Sequence, residues 1–256
     1  MFQPERQSGM LEHLATQDFL SVQEAMIRFK ASPATIRRDF DDLVRRGLVR
    51  RSHGGICPLR PEEMPSFAVR EARFAGEKAA LAREAVKRLE SGDVVFVDGG
   101  TTTFHLAACL PDLPLKIITN SLRLAAALEP RTTGKIGLEL YVTGGLLRPA
   151  SGLLTGPGVV KSLELYRARW AFLSAGGVDE SGLFNSDEQA AEMERTMIAN
   201  AEKTVVLADR SKIGRSAMCR IAPLERMAVL ITNAGNENSP VLAACRERGV
   251  TIIQVP

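Results

Sequence analysis

Apolar residues recur along this chain with two different periods, and the change of period divides it. Early on they fall three and four apart, the spacing of one helix face. Met10, Leu11 and Leu14 share the inner face of a helix expected over residues 4–14. Val22, Ala25, Met26 and Phe29 do the same for a second helix, and Ile36, Phe40, Leu43 and Val44 for a third. Residues 67–90 carry a longer helical pattern with a break near Gly76, which directs Ala80, Leu81, Ala85, Val86 and Leu89 inward. Beyond that the texture changes to short apolar runs at 94–97, 115–119, 138–142, 168–173, 205–208, 228–232 and 250–255. Helices are expected between them at 103–110, 121–128, 187–200 and 241–248. Strands alternating with helices predict an α/β domain with a mostly parallel, helix-covered sheet.

Stop and start signals sharpen the first part. Ser21-Val22-Gln23-Glu24 has the form of a capping box opening the second helix. Lys30-Ala31 is a tight connection, Ser32 an N-cap for the third helix, and Pro33 a residue suited to its first position. Gly47 is the expected left-handed stop. Residues 48–56 then read as two short strands about a glycine turn. Helix, short turn, helix and hairpin predict a winged helix-turn-helix (α+β), whose second helix of the pair enters a major groove. Its outer face carries Thr35, Arg37, Arg38, Asp41 and Arg45. Arg37, Arg38, Arg50 and Arg51 are expected to neutralise phosphates, while Thr35 and one helix arginine reach base edges. Ser32, Arg45 and His53 complete the expected DNA surface. The plainer alternative, a solvated helix face, gives no reason for the preceding helix and the following glycine turn.

Charge follows the same division. Residues 1–60 hold ten Lys or Arg against seven Asp or Glu, which accounts for the whole net charge of +3. Segregated positive charge is the footprint of a phosphate partner. At 256 residues, 45% hydrophobic and 25% charged, the chain is long enough for a small domain plus a larger one. Cys57, Cys109, Cys219 and Cys245 are scattered, as are His13, His53 and His105, so neither spacing suggests a metal or a disulfide framework. Isolated thiols, a start without secretory pattern, and the lack of an apolar run near ~20 residues lead us to expect a cytoplasmic protein with no membrane partner. The tract CPLRPEEMPS at 57–66 has three prolines in ten residues and disfavours regular structure. The expected division is a winged helix-turn-helix at 1–57, a linker at 58–74 and an effector-sensing α/β domain at 75–256.

In open parallel sheets ligands gather at the carboxyl ends of strands. There this chain places Asp98-Gly99-Gly100-Thr101-Thr102-Thr103, Asn120-Ser121, Gly144-Gly145 with Arg148, and Asp209 with Lys212. Glycines let backbone approach an anion, hydroxyls donate, and a helix starting at Thr103 would add unpaired N–H groups. Arg148 offers a two-pronged grip on an oxyanion and Lys212 a point charge. A Walker lysine and a G-x-G-x-x-G are both absent at the first loop, which argues against nucleotide hydrolysis and dinucleotide binding. The set suits a small, polyhydroxylated phosphate ester. The alternative for individual residues is structural, such as an N-cap at Ser121.

The motifs T-I-R-R-D-F at 35–40, R-x-H-G-G at 51–55, E-K at 77–78, D-G-G-T-T at 98–102, T-N-S at 119–121, G-G-x-x-R at 144–148 and D-R-S-K-I-G at 209–214 together resemble the DeoR family of bacterial transcription regulators. The likeness runs nearly end to end. It departs at Phe40, where the family usually has Leu, at Gln17-Asp18, and at Arg210 beside the presumed pocket. The resemblance implies a sensor domain shaped like ribose-5-phosphate isomerase and glucosamine-6-phosphate deaminase. It also implies a repressor of sugar-use genes that releases a double-stranded DNA operator when a phosphorylated sugar binds.

A homodimer or homotetramer on repeated half-sites is expected, because one small reader covers few base pairs. No cofactor, metal or catalytic residue is expected. The rival is a sugar-phosphate isomerase or deaminase with an appended DNA module, for which Asp98, Asp179, Glu188 and Asp209 would be the candidate carboxylates. An RNA partner is disfavoured by the lack of aromatic residues among the basic ones.

Overall fold

A computed structural model describes residues 2–14, 17–58, 66–134, 137–235, 237 and 239–256. The chain forms two compact units, Met1–Arg73 and Phe74–Pro256.

The first unit opens with α1 (Gln3–Leu14), β1 (Leu20–Ser21), α2 (Val22–Phe29) and α3 (Pro33–Arg45). The wing follows as β2 (Arg50–Ser52) and β3 (Gly55–Cys57), then α4 (Phe67–Ala72). Met10, Leu14, Ala25, Phe29, Ile36, Phe40 and Leu43 form its core, with Val22, Met26 and Val44 packed at the edge. The expected stripes therefore do face inward. Ser21 accepts from the Glu24 N–H at 3.0 Å, so the cap on α2 forms as its motif predicts. Of the tract expected to link the two parts, residues 59–65 lie outside those described. The rest of that linker, 58–74, includes α4, whose Val69 packs on the first core.

The second unit begins with α5 (Ala75–Ala85), β4 (Val94–Val97), β5 (Lys116–Thr119), α6 (Leu122–Thr132) and β6 (Glu139–Val142). Next come a hairpin, β7 (Leu146–Arg148) with β8 (Leu153–Thr155), then α7 (Pro157–Glu164) and β9 (Ala168–Ser174). A second hairpin, β10 (Gly177–Asp179) with β11 (Gly182–Asn185), leads into α8 (Glu188–Ala199) and β12 (Ala201–Leu207). The chain closes with β13 (Cys219–Ala222), β14 (Val229–Asn233), α9 (Pro240–Glu247) and β15 (Thr251–Val255). Seven strands make one sheet in the order β15-β14-β12-β9-β4-β5-β6, and every neighbouring pair is parallel. Strand alternation splits the core. Phe96, Ile118, Ala171 and Val206 meet α7, α8 and α9 on one face, while Val95, Val97, Ile117 and Phe172 meet α5 and α6 on the other.

The helical pattern 67–90 breaks near Gly76 as expected, at Phe74, which is held left-handed at φ 57°. The helix expected at 103–110 is a 3-10 helix, Thr103–Ala108. The segment 146–164, which holds β7, β8 and α7, and the small β10-β11-β13 sheet had no counterpart in the pattern.

Candidate functional site

In the first unit the reader is α3. Ser32 caps it by accepting from the Thr35 N–H at 3.3 Å, and its hydroxyl also meets the Thr35 hydroxyl at 2.9 Å. Pro33 occupies the first turn and Gly47 turns the chain out at φ 66°. Arg37 and Arg38 are exposed and have no carboxylate partner among the described residues. Arg45 is paired with Asp42 at 3.2 Å and Arg51 with Asp41 at 3.1 Å. Arg50 donates to the Pro58 carbonyl at 3.3 Å, and His53 is exposed in the turn of the wing. The five predicted arginines thus share one unit but differ in condition: Arg37 and Arg38 have no carboxylate among the described residues, Arg45 and Arg51 already hold one, and Arg50 holds a backbone carbonyl.

The two wing glycines have different reasons. Gly54 sits at φ 78°, which an L side chain rarely adopts. A Cβ on Gly55 would lie 2.2 Å from the Leu20 carbonyl oxygen. That closeness exists because β1 pairs with β3, Leu20 opposite Ile56 and Ser21 opposite Gly55. The Val22 N–H, an orphan donor at the start of α2, is taken by the Gly54 carbonyl at 3.0 Å.

A buried charge, missed in the sequence, holds this unit together. Asp39 lies on the apolar side of α3, 1% exposed, and Arg6 of α1 donates to it at 2.7 Å. Gln7 and Arg46 converge on Asp42 nearby, at 3.1 and 3.3 Å, and Gln7's hydrogen bond is the largest cause holding the Asp42 carboxyl below its usual range.

In the second unit the sheet order reverses direction between β4 and β9, because β4 connects outward to β5 and β6 while β9 connects toward β12, β14 and β15. A ligand crevice is expected outside the strand ends at such a switch point. Asp98 stands there and ties the two halves. Its carboxylate accepts from the Ser174 N–H at 3.0 Å, the Ser174 hydroxyl at 2.9 Å, the Gly100 N–H at 3.2 Å and the Thr103 hydroxyl. With those positions filled, Asp98 orders the loop and does not offer an open carboxylate to a ligand. Gly99 and Gly100 are required by closeness: a Cβ would meet Leu153 at 2.0 Å and the Ser174 hydroxyl at 1.7 Å. Thr101 and Thr102 are buried, and their hydroxyls donate to no described residue. The helix that follows is a six-residue 3-10 turn and not the expected α-helix.

Ser121 caps α6, accepting from the Leu124 N–H at 3.2 Å, which is its structural reading. Asn120 is buried; its amide donates to the Leu154 carbonyl at 3.3 Å and faces the Met193 sulfur at 3.2 Å. Gly144 and Gly145 serve the turn into β7, at φ 70° and 114°. β6 and β12 are four strands apart, about 19 Å at ordinary strand spacing, but the hairpin after β6 folds back, its Leu154 N–H donating to the Asn120 carbonyl at 2.8 Å. Arg148 on that hairpin reaches toward α8, meeting Asp187 at 3.4 Å and Gln189 at 3.3 Å. Asp209 is buried and caps the 3-10 turn Arg210–Lys212 by accepting from the Ser211 N–H at 3.0 Å. Lys212 lies half-buried beside it, and Arg210 pairs with Glu77 at 3.1 Å. Asp179 closes the β10–β11 turn, and Glu188 is exposed in the first turn of α8.

One residue of the site was unforeseen. Glu194 of α8 is 5% exposed, and the Asn185 amide donates to one of its oxygens at 2.8 Å. Burial, and then the charge of Asp98, push its carboxyl well above the usual glutamate range. Asp98 is pushed up by burial too, but its four donors make it the member that keeps the charge. A signal existed in the sequence: Glu194 is four residues from both Ala190 and Ile198, on the apolar stripe of its helix.

Both units match known families. A family model described as the DeoR-like helix-turn-helix domain matches residues 6–59, and one described as the DeoR C terminal sensor domain matches residues 73–234. An uncharacterized HTH-type transcriptional regulator of Bacillus subtilis (strain 168), YulB, is 34% identical over 100% of this chain and 98% of its own. The glycerol-3-phosphate regulon repressor of Escherichia coli (strain K12) is 31% identical over 91% of this chain and 92% of its own. Ribose 5-phosphate isomerase A of Methanocaldococcus jannaschii covers 53% of each chain at 22% identity, with a TM-score of 0.39.

Proposed function

The chain belongs to the DeoR family of HTH-type transcriptional regulators, and from that premise we propose that it represses carbohydrate-use genes until a small phosphorylated sugar binds its second unit. The observation that carries the proposal is the face of α3, where Arg37 and Arg38 stand exposed without a carboxylate partner among the described residues. There they can take duplex phosphates, while Thr35 and one of the two reach base edges. Ser32 orders that end of the helix, and Arg45, Arg50, Arg51 and His53 flank it on the phosphate backbone. The Escherichia coli relative, a glycerol-3-phosphate regulon repressor, supports the same reading.

The effector is proposed to lie across the β4–β9 switch point. Thr101 and Thr102 offer hydroxyls there, and Arg148 and Lys212 offer positive charge. Such a ligand acts only by preferring the conformation that does not fit the operator. The protein is proposed to work in the cytoplasm as a homodimer or homotetramer, supported by exposed Val142, Leu146 and Leu147 at the β6 edge and its adjoining hairpin. Light scattering checks the assembly, and Leu146→Asp is expected to weaken it.

Operator fragments titrated with the chain, then with a panel of sugar phosphates, test the reading. Expected is tight, salt-sensitive binding, released by one phosphorylated sugar and retained but no longer released in Lys212→Ala. Normal release of that variant removes Lys212 from the site; failure to bind any promoter fragment removes the reading. The named relatives are transcriptional regulators, and turnover of ribose 5-phosphate or glucosamine 6-phosphate by the purified chain would instead favour an enzyme.

A further inference from the structure

Two buried side-chain oxygens between the sheet and α8 have no hydrogen-bond partner among the described residues. They are one carboxylate oxygen of Glu194 and the amide oxygen of Asn120, on side chains 5% and 2% exposed. Leaving such atoms unpaired is costly, so each calls for an explanation.

They share a neighbourhood. Val97 and Thr119 are partners on adjacent strands, so Asp98 and Asn120 follow side by side at the strand ends. Alternation sends both toward the face that α8 covers, since Phe96 and Ile118, two residues earlier, belong to that core. Asn120 reaches Met193 of α8, and the next residue is Glu194, which feels the charge of Asp98. Asn185 and Asp187, both half-buried, lead from Glu194 to the surface, where Arg148 holds Asp187.

The balance of groups is lopsided. The interior end holds two carboxyls and an unmatched carbonyl, while the positive charges of Arg148 and Lys212 lie at the periphery. A sugar hydroxyl brings one donor and no charge. A primary ammonium brings three donors and a positive charge, which favours the ionised form of Glu194 beside Asp98. We propose that the effector carries a primary ammonium seated between Glu194 and Asn120, which makes it an amino-sugar phosphate rather than a neutral sugar phosphate. This rests on the sugar-phosphate reading above and specifies it further.

Affinities of the full chain are to be measured for glucosamine, galactosamine and mannosamine 6-phosphates. The comparison set is glucose, galactose, mannose and ribose phosphates, each with wild type and Glu194→Gln. Expected is at least one amino sugar bound about tenfold or more tighter than its hydroxyl counterpart. In Glu194→Gln that preference should vanish. A neutral sugar bound as well as or better than every amino sugar overturns the proposal and leaves the sugar-phosphate reading standing. A preference that survives in Glu194→Gln overturns the role of Glu194. If no phosphorylated sugar binds, both readings fall. The ligand comparison on wild type needs no variant to fold.

Discussion

The guanidinium of Arg6 and the carboxylate of Asp39 meet at 2.7 Å with both side chains almost wholly withdrawn from water. They join α1 to the reader helix across 33 residues of sequence. Breaking a buried pair strands a charge, at a cost of about 3–5 kcal/mol. Arg6→Ala or Asp39→Ala should therefore lower the stability of the first unit by that order in urea titrations, with loss of operator binding near the new midpoint. A change under about 1 kcal/mol would mean that water reaches the pair.

The cations of the reading face should not be equivalent. Arg37→Ala and Arg38→Ala each remove a cation with no internal carboxylate partner, so each should lower the log–log salt slope by about 0.9. Whichever contacts a base edge should also lose about 1–3 kcal/mol of discrimination. Arg45→Ala and Arg51→Ala should weaken binding less, because each must first leave Asp42 or Asp41. Fluorescence anisotropy on operator duplexes at several salt concentrations measures all four. Equal losses would remove the distinction.

Gly55→Ala and Gly54→Ala should fail by different routes. At Gly55 the new methyl meets the Leu20 carbonyl, so β1 must part from β3. At Gly54 there is space, and the cost is only the left-handed backbone, of order 1–3 kcal/mol. Circular dichroism melts should rank Gly55→Ala as the more damaging, and the reverse ranking would refute the pairing.

Stability should carry a mark of Glu194. Its folded carboxyl holds a proton more tightly than the unfolded one does, so this residue's contribution is lost as pH rises past the ordinary value of 4.5. Asp98 and Asp187 deepen the effect, while Asn185 and Arg195 oppose it. Glu194→Gln has no such proton to lose. In melting experiments its advantage over wild type should grow from mildly acidic to mildly alkaline pH, and a shrinking gap would contradict the burial argument.

The long sheet strands and the reader helix were legible because each buries a continuous face whose period shows in a single stretch of sequence. Ser32, Pro33 and Gly47 also mark the helix ends by local chemistry alone. Asp39 was not legible in that way, since its burial depends on Arg6, far off in the chain. Nor was the β7–β8 hairpin, whose β7 residues are exposed and leave no alternation to read. Asp98 was singled out for its place in a glycine loop, yet its role is decided by Ser174, another strand's end. Ser121 turned out to serve its helix, as local capping chemistry allowed.

The bond from Val22 to the turn of the wing, beside the pairing of Leu20 with Ile56, has a mechanical consequence. Hairpin and helix pair share main-chain stitches, so neither can tilt alone without stranding amides. A metabolite arriving at the second unit thus cannot detune the grip by bending one finger. It has to carry the whole hand off the groove, which makes the distance between hands, in an assembly of two or more, the quantity on which control of the genes would turn.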